Sequence, residues 1–442
     1  MVRIRAGARG VVTMRTAPLN LFQCAMLRWR ELHPYCAAHV LAVPAPLDEA
    51  RLRDVIAGVV EDCGLSGFRL EAPRKRLGFA GGPASVSLAR IDGEAPAFDR
   101  AAGEIAASIN RPFPATGSFD PFRFFAVPDA GGFLLGVVYD HILAGGDSIA
   151  VLMTDLAARY VALQPADVPL ASLALPVRTC RALFLRHPAA LARSLVALPG
   201  LVRRWRSVVR PKLADAADGH NGFVHFGVDA ATYARLRSHA KTLGVTSNDL
   251  LLAAVLLAAA PLGGARDPQH RRHAVAVASI VNLRADFQLP ATAVFGQFLS
   301  SFRVVHPLPP GATLDEVARD VAAQAARARR ERLHFLTLLA MALAGLLWRF
   351  ASLARRERLY LKYHPVLAGV TPLSVDTLRR HGRAAPGDYL RAASTGPMSP
   401  LVVALTISGG ALRVGITYRT TAVSHASAQG VARALQHTID LL

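Results

Sequence analysis

Between Gln164 and Asn221 the chain stops resembling the sequence on either side of it. Pro165, Pro169, Pro176, Pro199 and Pro211 interrupt regular structure, and Arg186, Arg193, Arg203, Arg204, Arg206 and Arg210 make the stretch basic. Proline removes a backbone donor and clashes with the preceding helical turn, so a stretch punctuated this often reads as a connection rather than as core. One or two amphipathic helices are expected inside it. The 442 residues then divide into a basic N-terminal extension (1–18), an N-terminal lobe (19–163), the connection (164–221) and a C-terminal lobe (222–442). Either lobe is large enough to bury a core of its own.

Periodicity fills the lobes with alternating strands and helices. Strands are predicted over Ala37–Val43, Ser85–Ala89, Pro121–Val127 and Gly132–Tyr139, and helices over Asp48–Val60, Ala97–Ile109 and Ser148–Tyr160. Pro128-Asp129-Ala130-Gly131 is hairpin chemistry. The second half repeats the mixture. Strands are predicted over Phe223–Val228, His273–Val281, Phe298–Val305, Met398–Ser408 and Ala411–Tyr418. Helices are predicted over Ala230–Leu243, Thr246–Ala260, Leu314–Arg330, Phe335–Tyr360 and Ser424–Leu441. This is an α/β chain.

Hydrophobic residues make up 52% and charged residues 19%, which excludes general disorder, and the formal charge is +20. The shortage of acids points to a basic surface suited to an acidic carrier, a nucleotide or an anionic membrane. Zinc-finger spacing, aromatic-basic RNA motifs and a helix-turn-helix pattern are all missing, so nucleic acid is not an expected partner. Cys24, Cys36, Cys63 and Cys180 form no CxxC pair and read as buried thiols of a reducing cytoplasm; no metal site is expected. The first residues lack the apolar core of a secretory signal, and Met14 is an alternative start.

One segment carries chemistry. Tyr139-Asp140-His141-Ile142-Leu143-Ala144-Gly145-Gly146-Asp147-Ser148 puts a histidine at the end of an apolar strand, followed by small residues and a helix start. An imidazole held on a strand end beside glycines is suited to general-base work. The bland alternative is a histidine satisfied at a buried strand end. Asp147 stands where a helix N-cap is expected. Asp140 is not expected to orient His141, because neighbouring strand residues face opposite sides.

Three segments together resemble the chloramphenicol-acetyltransferase-like acyltransferase superfamily, which includes condensation domains and wax-ester-synthase-like enzymes. The family pattern His-His-x-x-x-Asp-Gly is met by Asp140-His141-Ile142-Leu143-Ala144-Gly145-Gly146. His141 matches the catalytic histidine and Gly146 the final glycine, whereas Asp140 replaces the first histidine and Gly145 the aspartate. Leu243-Gly244-Val245-Thr246-Ser247-Asn248-Asp249 is similar to the family's Gly-Val-Thr-x-Asn-Asp helix start, where Asn248 and Asp249 read as cap residues. Phe295-Gly296-Gln297-Phe298-Leu299-Ser300-Ser301 is similar to Ile-Gly-x-Phe-Val-Asn-Thr, with Arg284 at the usual distance before it.

The resemblance, which spans about Leu19 to the C-terminus, implies two lobes, each a mixed sheet flanked by helices, with an active-site tunnel between them. It implies acyl transfer from an acyl-CoA or a phosphopantetheine-carrier thioester to a hydroxyl or amine. His141 would be the base, titrating near the ordinary imidazole value of about 6.5. Gly145, Gly146 and the first helical N–H groups after Asp147 would supply oxyanion donors, with Ser300 or Ser301 reaching in from the second lobe. The family aspartate pairs with an arginine. Asp147 could take that part opposite Arg284, although an N-cap needs no long-range partner and is the expectation here. Arg284 and Gln297 are expected to be structural, and His33, His364 and His425 to be surface or packed residues. No bound cofactor is expected. The competing function is a non-catalytic condensation-like module that binds a carrier protein or a lipid.

Leu333–Trp348 is an apolar run flanked by Arg327, Arg329, Arg330 and Arg332 before it and Arg349, Arg355, Arg356 and Arg358 after it. It is shorter than the roughly 20 residues needed to span a bilayer. A packed helix, a helix lying in an anionic membrane interface and an element lining an acyl tunnel are all open. The expected location is a bacterial cytoplasm, with a peripheral position at the inner membrane as the lipid-facing variant.

Overall fold

A computed structural model of the chain describes residues 15–162, 180–264, 270–289, 294–357, 364–378 and 387–442. In chain order the first half holds β1 (Arg15–Pro18), α1 (Leu21–Trp29), β2 (Cys36–Val43), α2 (Glu49–Asp62), β3 (Phe68–Glu71), β4 (Arg76–Phe79), β5 (Leu88–Arg90), α3 (Ala97–Ser108), β6 (Gly117–Ser118), β7 (Phe122–Asp129), β8 (Gly132–Asp140) and α4 (Gly146–Val161). The connection contributes α5 (Cys180–Arg186) and α6 (Pro188–Arg206). The second half holds β9 (Asn221–Val228), α7 (Ala230–Thr242), α8 (Ser247–Ala259), β10 (Val275–Asn282), α9 (Arg284–Phe287), β11 (Leu299–His306), α10 (Leu314–Arg330), α11 (His334–Phe350), β12 (Ala368–Ser374), β13 (Tyr389–Ala393), β14 (Leu401–Ser408), β15 (Ala411–Arg419) and α12 (His425–Asp440).

Alternation along β2 shows how the first lobe is layered. Cys36, Ala38 and Val40 pack with Ala101 and Ile105 of α3, while Ala37, Leu41 and Val43 join Leu52 and Ile56 of α2 and Leu152 of α4. The sheet is thus covered on both faces. Its order is β13-β2-β8-β7-β5. The second lobe is built on β11-β10-β12-β14-β15-β9, with α8 buried against it. That helix is apolar on every side, as a helix sunk in a core must be. A small third sheet, β1-β4-β3-β6, draws Arg15–Pro18 out of the expected basic extension.

One strand does not follow the division of the chain. β13, from the second half, pairs antiparallel with β2 in the register Tyr389 to Leu41 and Arg391 to His39. The first sheet is therefore completed by a strand about 350 residues away in sequence, and the two lobes are stitched together.

Three expectations need correction. α4 begins at Gly146 with Gly145 as its N-cap, so Asp147 lies in the first turn and is not the cap. α11 ends at Phe350 and does not run to Tyr360. Ala351 turns extended, and Arg356 Nε closes on the carbonyls of Trp348 and Ala351 at 3.2 and 3.1 Å. Pro199 sits inside α6 without ending it; the helix is exposed there, so the freed carbonyl can turn to water. Pro165, Pro169, Pro176, Arg358 and the predicted helix end at Tyr360 lie outside the described residues. Cys36, Cys63 and Cys180 are buried, whereas Cys24 is only half-buried.

Candidate active site

His141 follows directly on β8, and its backbone is held from both lobes. Its N–H donates to the Tyr35 carbonyl at 3.2 Å, and its own carbonyl accepts from Gln297 Nε2 at 3.0 Å. The imidazole stacks on the Tyr35 ring at 5.4 Å between centroids and meets Tyr139 edge-on at 5.8 Å. The strand end, two aromatic rings and one amide thus fix its orientation. Asp140 faces the other way, as alternation requires. It is buried and paired with Arg30 at 3.2 Å. Burial raises its pKa to about 6 against the opposing pull of Arg30.

The Phe295-Gly296-Gln297 segment latches the loop after His141. The Gly145 N–H donates to the Gly296 carbonyl at 3.0 Å, and the Ser148 hydroxyl contacts both the carbonyl and the N–H of Gly296. Asn20 Nδ2 in turn donates to the Gln297 carbonyl at 2.6 Å. The expectation that Gly145 serves as an oxyanion donor is corrected here, because its N–H is already used. A Cβ on Gly145 would sit 2.9 Å from both Asp147 Oδ1 and Gln297 Oε1, so a larger residue there would displace one or both of these side chains. Gly146 differs. It is the first residue of α4, whose N–H the helix leaves unused, and it lines the cavity in front of His141.

Freed from capping, Asp147 pairs with Arg284 Nε and accepts from Asn282 Nδ2 at 2.9 Å. Arg284 also donates to Ser148 Oγ at 2.6 Å and to the Val294 carbonyl, and its guanidinium lies 4.8 Å from the centre of the Phe298 ring. The acid two positions after Gly145 therefore makes the arginine pair across the lobes.

The two candidate serines separate by strand parity. Ser301 lines the cavity with a buried hydroxyl that has no hydrogen-bond partner among the described residues, whereas Ser300 donates to the His334 carbonyl at 2.6 Å on the opposite face. Ser300 is therefore removed from the site. Thr246 is the N-cap of α8 and Asp249 its capping-box partner; Asn248 does no capping.

The cavity measures about 140 Å³ and is formed from both halves of the chain. His39, Tyr139, His141 and Gly146 come from the first half, and Ser301, His364 and Arg391 from the second. Sequence reasoning passed over His39 and Arg391 and set His364 aside as a surface or packed residue. His39 sits mid-strand in β2, with Nδ1 2.7 Å from the Tyr389 hydroxyl. Arg391 sits opposite it on β13 and is buried, donating to Thr406 Oγ1 at 2.9 Å and to the Thr371 carbonyl at 2.6 Å. Only the pairing of β13 with β2 brings them together. His364 is buried at the cavity wall, and among the described residues neither ring nitrogen makes a hydrogen bond of normal geometry. His33 and His425 are satisfied elsewhere, by the Pro34 carbonyl and the Tyr418 hydroxyl.

Electrostatics favour a neutral imidazole at the centre. Burial pulls the His141 pKa down to about 4; the Ala144 backbone opposes the shift and the Arg391 charge adds to it. The expected ordinary titration near 6.5 is thus displaced by desolvation. The residue keeps 8% of its surface exposed and lines the cavity, so it is neither sealed off nor turned to bulk water. Its Nδ1 is buried without a hydrogen bond of normal geometry. Arg391 stays cationic, although burial lowers its pKa to about 10. Among the described residues no group of three His, Cys, Asp or Glu side chains is placed to hold a metal ion. No single helix among them is long and apolar enough to cross a membrane.

No protein-family model and no curated protein sequence matches the chain. Solved structures do. The first condensation domain of the CDA synthetase superposes with a TM-score of 0.67 at 16% identity, covering 98% of this chain and 97% of that one. The EpoB cyclization-docking bidomain from Sorangium cellulosum gives 0.68 at 14% identity, covering 96% of this chain and 83% of that one. Polyketide synthase associated protein 5 from Mycobacterium tuberculosis gives 0.60 at 14% identity, covering 97% of this chain and 100% of that one. At such identities the likeness establishes architecture. The chain has the two-lobed, chloramphenicol-acetyltransferase-like fold of these domains.

Proposed function

We propose that the protein is an acyltransferase that moves an acyl group from a thioester, carried by coenzyme A or by the phosphopantetheine of a carrier protein, to a hydroxyl or amine. The observation that carries this reading is a neutral, buried imidazole at a cavity formed from both halves of the chain, beside the buried Arg391 guanidinium, which makes no ion pair among the described residues. The acceptor's O–H or N–H gives its proton to His141 as the oxygen or nitrogen attacks the thioester carbonyl. The electron pair moved onto the carbonyl oxygen is met by the Arg391 charge and by the Gly146 N–H. Collapse expels the thiolate, which takes the proton back from the imidazolium. A positioned base of this kind contributes about 10²–10⁴-fold in rate. The basic surface favours either donor, since both are acidic.

The same reading places the enzyme in a bacterial cytoplasm and, through α6 and α11, against the inner membrane. Val196 and Phe350 are each 82% exposed, and Leu343, Leu346 and Leu353 are exposed with them among arginines. Apolar side chains set in a cationic rim suit an anionic lipid surface.

The test is incubation of purified protein with a series of acyl thioesters and candidate alcohols and amines, followed by mass spectrometry of the acceptor. Transfer supports the reading. Stable association with an acyl carrier protein or lipid, but no turnover with any thioester, would instead favour a non-catalytic binding module.

A further inference from the structure

A second cavity, of about 330 Å³, opens between α6, α10, α11 and the edge strand β11. Its walls are largely apolar: Leu198, Leu201, Phe302, Leu336, Leu339 and Leu343 face it. Arg204, Arg303, Gln324, Arg327, Thr337 and His364 are the polar part of the lining, and among them Arg303 stands apart. Arg303 lies with its guanidinium 3.5 Å from the centre of the Trp205 ring, and its Nη1 is buried without a hydrogen-bond partner. Among the described residues no carboxylate lies within ion-pair distance of it. The other two arginines at this cavity are engaged: Arg327 pairs with Glu331, and Arg204 donates to the Val305 carbonyl at 3.3 Å. Desolvation alone draws the Arg303 pKa down to about 9. A half-buried cation with a buried nitrogen and no counter-charge is costly, and an incoming anion removes part of that cost.

Two further features bear on the ligand. A cavity of about 150 Å³ takes benzene, so this one holds on the order of a dozen carbon atoms by the same scale. His364 lines both this chamber and the His141 cavity, and both of its ring nitrogens are buried without a hydrogen bond of normal geometry among the described residues. The two spaces therefore meet at this histidine.

We propose that this chamber is a binding site for a single-chain anionic amphiphile, its alkyl chain lying between α6 and α11 and its carboxylate or phosphate paired with the Arg303 guanidinium. The inference concerns binding and stands whether or not the neighbouring cavity turns over a thioester. The head group is defined by charge and size; fatty acids and alkyl phosphates share that chemistry.

The experiment is calorimetric titration of the whole protein with decanoate, decyl phosphate, 1-decanol and butyrate. Decanoate, decyl phosphate or both should bind at least about tenfold more tightly than 1-decanol, and butyrate should not bind measurably. Which of the two anions binds better assigns the head group. Arg303→Met keeps an apolar stem over Trp205 and should abolish the preference for the anion while leaving 1-decanol binding within about twofold. Leu198→Trp and Leu343→Trp fill the chamber from half-buried and exposed helix positions, where the fold tolerates bulk, and each should weaken binding of all the C10 ligands about tenfold. Circular dichroism confirms that each variant is folded. Equal affinity for decanoate, decyl phosphate and decanol, an anion preference that survives Arg303→Met, or binding indifferent to both tryptophan substitutions would each overturn the proposal.

Discussion

Replacing Arg284 by Met tests the claim that one buried ion pair ties the lobes together at the site. The guanidinium contacts Asp147, Ser148 and the Val294 carbonyl and packs near Phe298. Methionine keeps much of the volume and the apolar contact but removes every donor. Asp147 is then left 9% exposed with Asn282 as its remaining side-chain donor. Breaking a buried pair by removing one partner costs about 3–5 kcal/mol, because the surviving charge is stranded. Asp147→Asn should cost less, since Arg284 keeps its bonds to Ser148 and Val294. The double variant strands no carboxylate, so it should be more stable than the sum of the single changes predicts, with a coupling of about 1.5–3 kcal/mol. Urea unfolding followed by circular dichroism and by tryptophan fluorescence reads these values and shows whether the lobes unfold together. The argument fails if Arg284→Met costs under about 1 kcal/mol, or if the two single effects simply add.

Acidification should act on stability and rate through the buried histidines. His33 and His141 titrate at about 4 when folded against 6.5 unfolded, so each takes up its proton more readily unfolded; their stabilisation is complete above about pH 6.5 and is lost as the pH falls toward 4. Full protonation of each costs on the order of 3 kcal/mol. Asp140, raised to about 6, works in the opposite sense and returns part of that stability as the pH falls through 6. Melting temperature against pH should fall on the acid side, and the acid limb of kcat/KM should lie well below 6.5; a limb centred at 6.5 would contradict the assigned burial. Gly146→Ala places a Cβ 3.0 Å from Arg391 Nη1 and 3.6 Å from the His39 ring, so kcat/KM should drop tenfold or more while the urea midpoint barely moves. Gln297→Leu leaves the His141 carbonyl without its donor and should cost about 1–3 kcal/mol, with a fall in kcat visible under conditions where the protein remains folded.

What could be foreseen follows the range of the interactions. The α8 start was legible because Thr246 and Asp249 satisfy each other within one turn. The β14–β15 hairpin was legible because Gly409 and Gly410 both take positive φ. His141 was legible because its strand and loop are continuous in sequence. Asp147 was misplaced for the converse reason: local capping was the more economical expectation, and its partner Arg284 lies 137 residues away. His39 and Arg391 carried no signal, since each lies in a short apolar strand and only the β2–β13 pairing joins them. The strands of the small third sheet, two to four residues long, are too short for periodicity to register.

The central claim is that the His141 imidazole accepts the acceptor's proton during acyl transfer. It is tested most directly by comparing wild type with His141→Ala in single-turnover transfer from an acyl thioester, with acceptor mass as the readout and circular dichroism confirming an intact fold. A loss of about 10²-fold or more in rate is the predicted result. Equal rates in the two proteins would contradict it.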